Sequence, residues 1–186
     1  MDDFDLLPED DQHSTHRNIQ PEIIDRSIPW AYFHGSAQEE GCGGGAILFL
    51  NEPHCFKIQM KLGRGINNYA ELCTAKHLIL FALEKNYTHL QLFGDSKLVC
   101  NWLNRTSLCF AYSLRHILDE AHKLISYFDT FVCHHIFREC NTRADFLSKE
   151  ATHRQDEDWL IQEEIDGVFY QHYHRPFIDP HIHRGQ

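Results

Sequence analysis

Apolar positions along the chain change period several times, and each change predicts an element. Trp30-Ala31-Tyr32-Phe33 is aromatic and β-prone, with a turn predicted at His34-Gly35-Ser36. Gly41 to Gly45 reads as a glycine-rich bend. The run Ala46-Ile47-Leu48-Phe49-Leu50 that follows is short enough for a buried strand. Asn51-Glu52-Pro53 turns the chain. From Cys55 to Lys61 apolar and polar residues alternate, as in an antiparallel strand with one wet face. Beyond Gly63-Arg64-Gly65 the period becomes helical. Leu72, Ala75, Ile79, Ala82 and Leu83 recur on one face, with Asn67 or Asn68 as the cap. His89 to Phe93 is another strand, ending at Gly94-Asp95-Ser96. Leu98, Val99, Trp102 and Leu103 suit a short amphipathic helix, and Leu114 to Ile125 a longer one. Phe131 to Phe137 reads as a strand and Asn141 to Ala151 as a last helix.

The order is three strands, helix, strand, two helices, strand, helix. It predicts an α/β domain built on a mixed five-stranded sheet, three antiparallel strands followed by parallel ones, with helices on both faces. Three segments are expected. Residues 1–26, acidic and without a clear period, are expected to form a flexible, loosely attached arm. Residues 27–152 form the domain. Residues 153–186 form a tail rich in His and aromatic residues, with Trp159, Leu160 and Ile161 as candidates to dock on the domain and little regular structure past Gly167.

Composition narrows the function classes. With 186 residues and 42% hydrophobic content, one domain with a real core is expected. No stretch approaches the roughly 20 apolar residues of a membrane span. The start, Met1-Asp2-Asp3-Phe4-Asp5, lacks the basic and apolar run of a secretory signal. An intracellular location, cytoplasmic or nuclear, and no membrane partner are therefore expected. The seven cysteines form no CxxC pair and read as reduced, buried residues. A net charge of −10 speaks against a general nucleic-acid coat protein. It remains compatible with an enzyme whose acids hold cations.

Three acids stand out by position. Glu71 is expected on the first turn of the long helix, Asp95 at the carboxyl end of a strand, and Asp145 early in the last helix. Ligands of α/β sheets gather at the carboxyl ends of strands, so the three can converge there. Carboxylate oxygens suit Mg²⁺ or Mn²⁺. Two such ions about 4 Å apart can activate water and stabilise the leaving oxygen of a phosphodiester. Taken singly, each acid has a structural reading as well: Glu71 favours a helix dipole, Asp95 caps a helix, Asp145 is a solvated helix acid.

Four segments, in order, resemble the ribonuclease H family, in particular the reverse-transcriptase-associated, retrotransposon-type domains common in plant genomes. They are Phe33-His34-Gly35-Ser36 with Gly43-Gly44-Gly45-Ala46; Asn68-Tyr69-Ala70-Glu71-Leu72; Phe93-Gly94-Asp95-Ser96; and Asn141-Thr142-Arg143-Ala144-Asp145-Phe146-Leu147-Ser148. The resemblance implies that Glu71, Asp95 and Asp145 are three of four metal-binding acids for two Mg²⁺ or Mn²⁺ ions. The implied partner is an RNA–DNA hybrid, whose RNA strand would be hydrolysed. Gly35, Ser36, Gly43, Asn68, Ser96 and Asn141 are the expected substrate contacts. His135, with His134 and Arg138 nearby, is the candidate for a catalytic side chain that helps product leave.

The family's first acid lies at the end of the first strand, and here that position is His34. A neutral imidazole offers one lone pair and cannot bridge two ions. It also favours softer metals than Mg²⁺. Hydrolysis is therefore expected to be impaired, or lost in favour of a binding or protein-interaction role that includes the termini. Glu39, Glu40, Asp25 and Asp129 have no motif that recommends them as substitutes. No Lys/Arg-rich, Trp-bearing insertion lies between Trp102 and Leu114. His172/His174 and His181/His183 form two HxH pairs that can bind Zn²⁺ or Ni²⁺ if they lie in a strand.

Overall fold

The computed structural model describes residues 24–174. Residues 1–23 of the acidic arm and the pair His181/His183 lie outside that range. The elements are β1 (Trp30–Gln38), β2 (Gly41–Asn51), β3 (His54–Lys61), α1 (Asn67–Glu84), β4 (His89–Gly94), α2 (Lys97–Leu103), α3 (Arg115–Ile125), β5 (Thr130–His135), α4 (Thr142–Thr152), β6 (Trp159–Ile165) and β7 (Val168–His174). The strands form one sheet in the order β5-β4-β1-β2-β3-β6-β7. β1 runs parallel to β4, and β4 to β5, while the other neighbours are antiparallel. The α/β class and the mixed sheet agree with the sequence pattern, but the sheet has seven strands rather than five.

The two additional strands come from the segment expected to be irregular. Val168 to His174 pairs antiparallel with β6, and β6 with β3. The signal was the dipeptide Asp166-Gly167 between two β-prone runs. Both residues hold positive φ, 50° and 79°, as a two-residue hairpin turn requires. Trp159 and Ile161 then face inward and are buried. They dock as expected, but as part of a strand.

The glycines are the second difference. His34-Gly35-Ser36 is no turn, and Gly41 to Gly45 is no bend, because all these residues lie inside paired strands. Their small size serves helix contact instead. A Cβ on Gly35 would stand 2.2 Å from the Ala70 carbonyl carbon of α1. One on Gly45 would stand 2.3 Å from the Ala144 carbonyl oxygen of α4. The two helices thus lie directly on the central strands, α1 on one face and α4 on the other. Only glycine permits so close an approach.

The main core lies between the sheet and α1 and α3. It is built by Phe33, Leu48, Ile58, Leu72, Ile79, Leu92, Leu118 and their neighbours. On the α4 face a smaller cluster of Trp30, Phe93 and Ile136 is joined by Ile24, Tyr32 and Phe49. Asp25 belongs to the fold rather than to a free arm. Its backbone N–H donates to Gln91 Oε1 at 2.9 Å, and its carbonyl accepts from Gln91 Nε2 at 2.7 Å. All seven cysteines are free thiols, six of them buried and Cys140 partly so. Among the described residues no helix is long and apolar enough to cross a membrane.

Candidate active site

The parallel pairing of β1 with β4 places Phe33 opposite Gly94, so His34 and Asp95 emerge side by side where β4 gives way to α2. Gly35 lets α1 close on β1 and brings Glu71 over the same point. Glu71 is the fifth residue of α1, just past the first turn expected for it. Gly45 does the same for α4, whose first turn carries Asp145. Ser96, not Asp95, caps α2, its Oγ accepting from the Val99 N–H at 3.3 Å, while α1 starts after Ile66 with no side-chain cap, so neither Asn67 nor Asn68 caps it. Asp95 is thereby left for the site.

His34 occupies the centre of these acids. Its Nδ1 lies 3.0 Å from Glu71 Oε1 and 3.1 Å from Asp95 Oδ2. Its Nε2 lies 3.1 Å from Asp145 Oδ1. His34 and Glu71 are each 5% exposed. Burial opposes a charge on the ring, yet hydrogen bonds to Asp95 and Glu71 and the pull of their charges outweigh it. The His34 pKa is raised to about 10. Both ring nitrogens then carry protons, and each proton has a carboxylate acceptor. Burial also pushes the Glu71 carboxyl up, against the pull of His34. Asp95 is pushed up by burial too, but its bonds from His34 and Asn141 prevail and hold it low. Of these two acids Glu71 is thus the one more inclined to keep a proton.

The supporting contacts are specific. Asn141 Nδ2 donates to the Phe33 carbonyl at 2.8 Å and to Asp95 Oδ2 at 3.4 Å. Ser36 and Ser148 share a 2.6 Å hydrogen bond that ties β1 to α4. Lys149 Nζ reaches Asp145 Oδ2 at 2.9 Å. Glu71 Oε2 is sealed from solvent without a partner. That orphan acceptor fits a cation or a proton in the cluster. His34, Glu71 and Asp95 also present ligand atoms within 4.8 Å of one another, a grouping that can hold one metal ion. Two ions bridged by a carboxylate do not fit this donor set, because the bridging position is an imidazole already bonded at both nitrogens.

The surrounding cleft has a volume of about 420 Å³. Of the expected substrate contacts, Gly35, Ser36, Asn68 and Ser96 line it. Gly43 does not, since it lies beneath α4 against the Ser148 carbonyl. Asn141 is buried and supports Asp95 from behind. His135 ends β5 at the surface against Phe137 and does not line the cleft, and His134 stacks on Phe93. Arg138 does line it, together with Asn67 and Lys149, two residues the sequence reading missed. The spacing Asp145–Lys149, one helical turn, was the available signal for Lys149. Glu39 and Glu40 sit at the β1–β2 hairpin and leave the place of the missing acid to His34.

Solved structures share this architecture. Ribonuclease H1 from the halophilic archaeon Halobacterium salinarum superposes with a TM-score of 0.60 at 27% identity, over 67% of this chain and 96% of that one. The N-terminal ribonuclease H domain of a Mycobacterium tuberculosis protein gives a TM-score of 0.60 at 22% identity, over 67% and 93%. A ribonuclease H1 from compost, solved with an RNA/DNA hybrid, gives 0.56 at 22% identity, over 67% and 96%. A search of curated proteins finds no sequence match. The family model described as reverse transcriptase-like matches residues 33–151, which include His34 and all three acids. The chain belongs to that reverse transcriptase-like family and has its ribonuclease H fold.

Proposed function

We propose that this protein is a ribonuclease H-like domain that binds RNA–DNA hybrid but hydrolyses it poorly or not at all with Mg²⁺ or Mn²⁺. The observation that carries the reading is the placement of the His34 ring among Glu71, Asp95 and Asp145, with hydrogen-bonding distance on both nitrogens. In the two-ion chemistry implied by the family, cations hold mutually repelling acids together and activate water. Here the His34 imidazolium balances part of that charge, and the ligand that would bridge two ions is missing. Without a carboxylate at that bridging position the two-ion activation of water is not supported, so hydrolysis is impaired while the cleft persists.

The same arrangement favours binding. Three bare carboxylates would repel a phosphodiester. Protonated His34, Arg138 and Lys149 set three cations beside the three acids of the cleft. Backbone phosphate can then approach. The hybrid-bound compost enzyme supplies the partner class by likeness of fold.

The test is a labelled RNA–DNA hybrid offered to the full chain and to His34→Asp, with binding and cleavage measured separately in Mg²⁺ and in Mn²⁺. Binding by both, cleavage by His34→Asp alone, and loss of that cleavage on adding Asp95→Asn are expected. Cleavage by the natural sequence at a rate comparable to His34→Asp would sink the proposal. It would favour instead one ion held by His34, Glu71 and Asp95.

A further inference from the structure

The helix α4 packs on β1, β2 and β3, and beyond it the same sheet face of β6 and β7 stays open. Strand alternation decides what that face shows. Phe56, Ile58, Trp159 and Ile161 point into the core and are buried, so Lys57, Gln59, Leu160 and Gln162 point the other way. On β7 His172 reaches Glu163 and His174 packs on Trp159, which leaves Phe169, Gln171 and Tyr173 on the open face. Register sets these residues in rows. Lys57 stands opposite Gln162, and Gln162 opposite Gln171. Each exposed ring of β7 has a cation beside it. Lys57 Nζ lies 5.9 Å from the centre of the Phe169 ring, and Arg154 Cζ lies 6.0 Å from that of Tyr173. Glu164, opposite Phe169, is the one acid these three strands place on the face among the described residues. Between α4 and β3 the face sinks into a hollow of about 400 Å³, lined by Lys57, Gln59, Gln162, Arg143 and the exposed ring of Phe146. That volume lies within the ~300–1,000 Å³ usual for ligand pockets.

We propose that this face binds single-stranded nucleic acid, with bases stacked on Phe169 and Tyr173, one base in the hollow against Phe146, and phosphates met by Lys57, Arg143 and Arg154. Every base offers a π face, so exposed rings flanked by cations suit an unpaired strand of any sequence. The amides of Gln59 and Gln162 both donate and accept, as the edges of an unpaired base require. An apolar protein surface is served less well, because Gln162 and Gln171 interrupt the rings. Stacking carries much of such a contact, which makes it compatible with a chain of net charge −10. The face is separate from the cleft. Asp145 of α4 reaches His34, whereas the next residue, Phe146, walls the hollow. Bases paired in a hybrid cannot stack there, so the two sites take different ligands.

Fluorescence anisotropy tests this, with the full chain and a labelled single strand of about 12 nucleotides, made once as RNA and once as DNA. Saturable binding is expected, weakened about tenfold or more by Phe169→Ala with Tyr173→Ala. Those two residues lie on an edge strand, so Arg143→Glu on α4 is the independent probe. The substitution keeps the fold, since an acid in the first turn of α4 suits the helix dipole. It is expected to weaken binding about threefold or more and to flatten its salt dependence. Tyr127→Ala, which removes an exposed ring outside this face, is expected to leave binding intact. Blunt RNA–DNA hybrid is expected to bind the double variant as it binds the natural sequence. Binding of RNA alone, of DNA alone or of both supports the proposal, and the preference tells whether the site reads the 2′-hydroxyl. Binding that survives the double variant or Arg143→Glu unchanged would overturn it. So would failure to bind either strand, which would leave the face to a protein partner.

Discussion

Two histidines of the same chain show how environment decides a side chain's charge. His34 lies among three acids and is held protonated, with its pKa raised to about 10. His77 on α1 packs at a tilt against Trp159, with ring centroids 5.1 Å apart, and its Nδ1 is sealed without a partner. Burial, aided by the charge of Lys76, lowers its pKa to about 3. The unfolded chain takes up a proton at His77 near pH 6.5, while the folded chain must keep the ring neutral until about pH 3. This contribution to stability is therefore complete above pH 6.5 and lost progressively as pH falls below it. Between pH 7 and pH 5 the loss is about 2 kcal/mol, at 1.4 kcal/mol per pH unit below 6.5. Urea unfolding of the natural sequence and of His77→Phe at both pH values measures it. The other histidines act equally in the two proteins, so the natural sequence should lose about 2 kcal/mol more. An equal loss in both would show that His77 is not kept neutral in the folded protein. The sequence made Glu71, Asp95 and Asp145 legible, because each stands where an element begins or ends. It also exposed His34 as the departure. It did not reveal that the imidazole meets all three acids, since that depends on residues 37 to 111 positions apart coming within 3.1 Å. Nor did it separate Arg138 from His135. Which of them faces the cleft depends on where β5 ends and on the short 3₁₀ turn at Arg138–Cys140.

At the scale of elements, helices and strands were read from period, and the errors fell where glycine carries two meanings. A glycine run signals a bend when only local chemistry is considered. In β1 and β2 the same residues stay extended, because α1 and α4 press on them from opposite faces. The precision of the site follows from this packing. Asp145 reaches His34 only because α4 lies close to Gly45. Gly45→Ala would place its Cβ 2.3 Å from the Ala144 carbonyl oxygen and 2.4 Å from the Ser148 nitrogen, both backbone atoms that cannot rotate away. The helix must shift outward, at an expected cost of about 2–3 kcal/mol in chemical unfolding. The shift should also separate Asp145 from His34, visible as a changed His34 ring resonance in NMR. A stability within 0.5 kcal/mol of the natural sequence, as is usual for surface substitutions, would contradict the close contact. The β6–β7 hairpin teaches the complementary lesson. Its turn dipeptide was visible in the sequence, but the histidine-rich composition around it suggested a loose tail. Composition describes solvent preference on average, whereas here Leu160 to Ile165 pair with β3 while Trp159 and Ile161 are buried against the core.

For the molecule as a whole, the proposed binding of a polyanion has to be reconciled with an acidic chain of net charge −10. A −10 chain gains little from long-range attraction to nucleic acid, so binding must rest on the few cations the cleft itself provides. With His34 protonated, charge balance in the cleft does not depend on added divalent ions. Hybrid binding by the natural sequence is therefore expected to persist in EDTA, changing less than twofold. Binding by His34→Asp, which restores a fourth acid and removes a cation, should weaken at least tenfold when divalent ions are chelated, a difference of about 1.4 kcal/mol. Fluorescence anisotropy with a labelled hybrid at one fixed monovalent salt concentration reads both. The natural sequence should also show a shallow salt dependence. A slope near −0.9 per neutralised phosphate and two or three cations in contact gives about −2 to −3 in log K against log salt. If chelation abolished hybrid binding by the natural sequence, a divalent ion would have to be part of its binding site. The His34 ring would then be acting as a ligand to that ion instead of standing in its place.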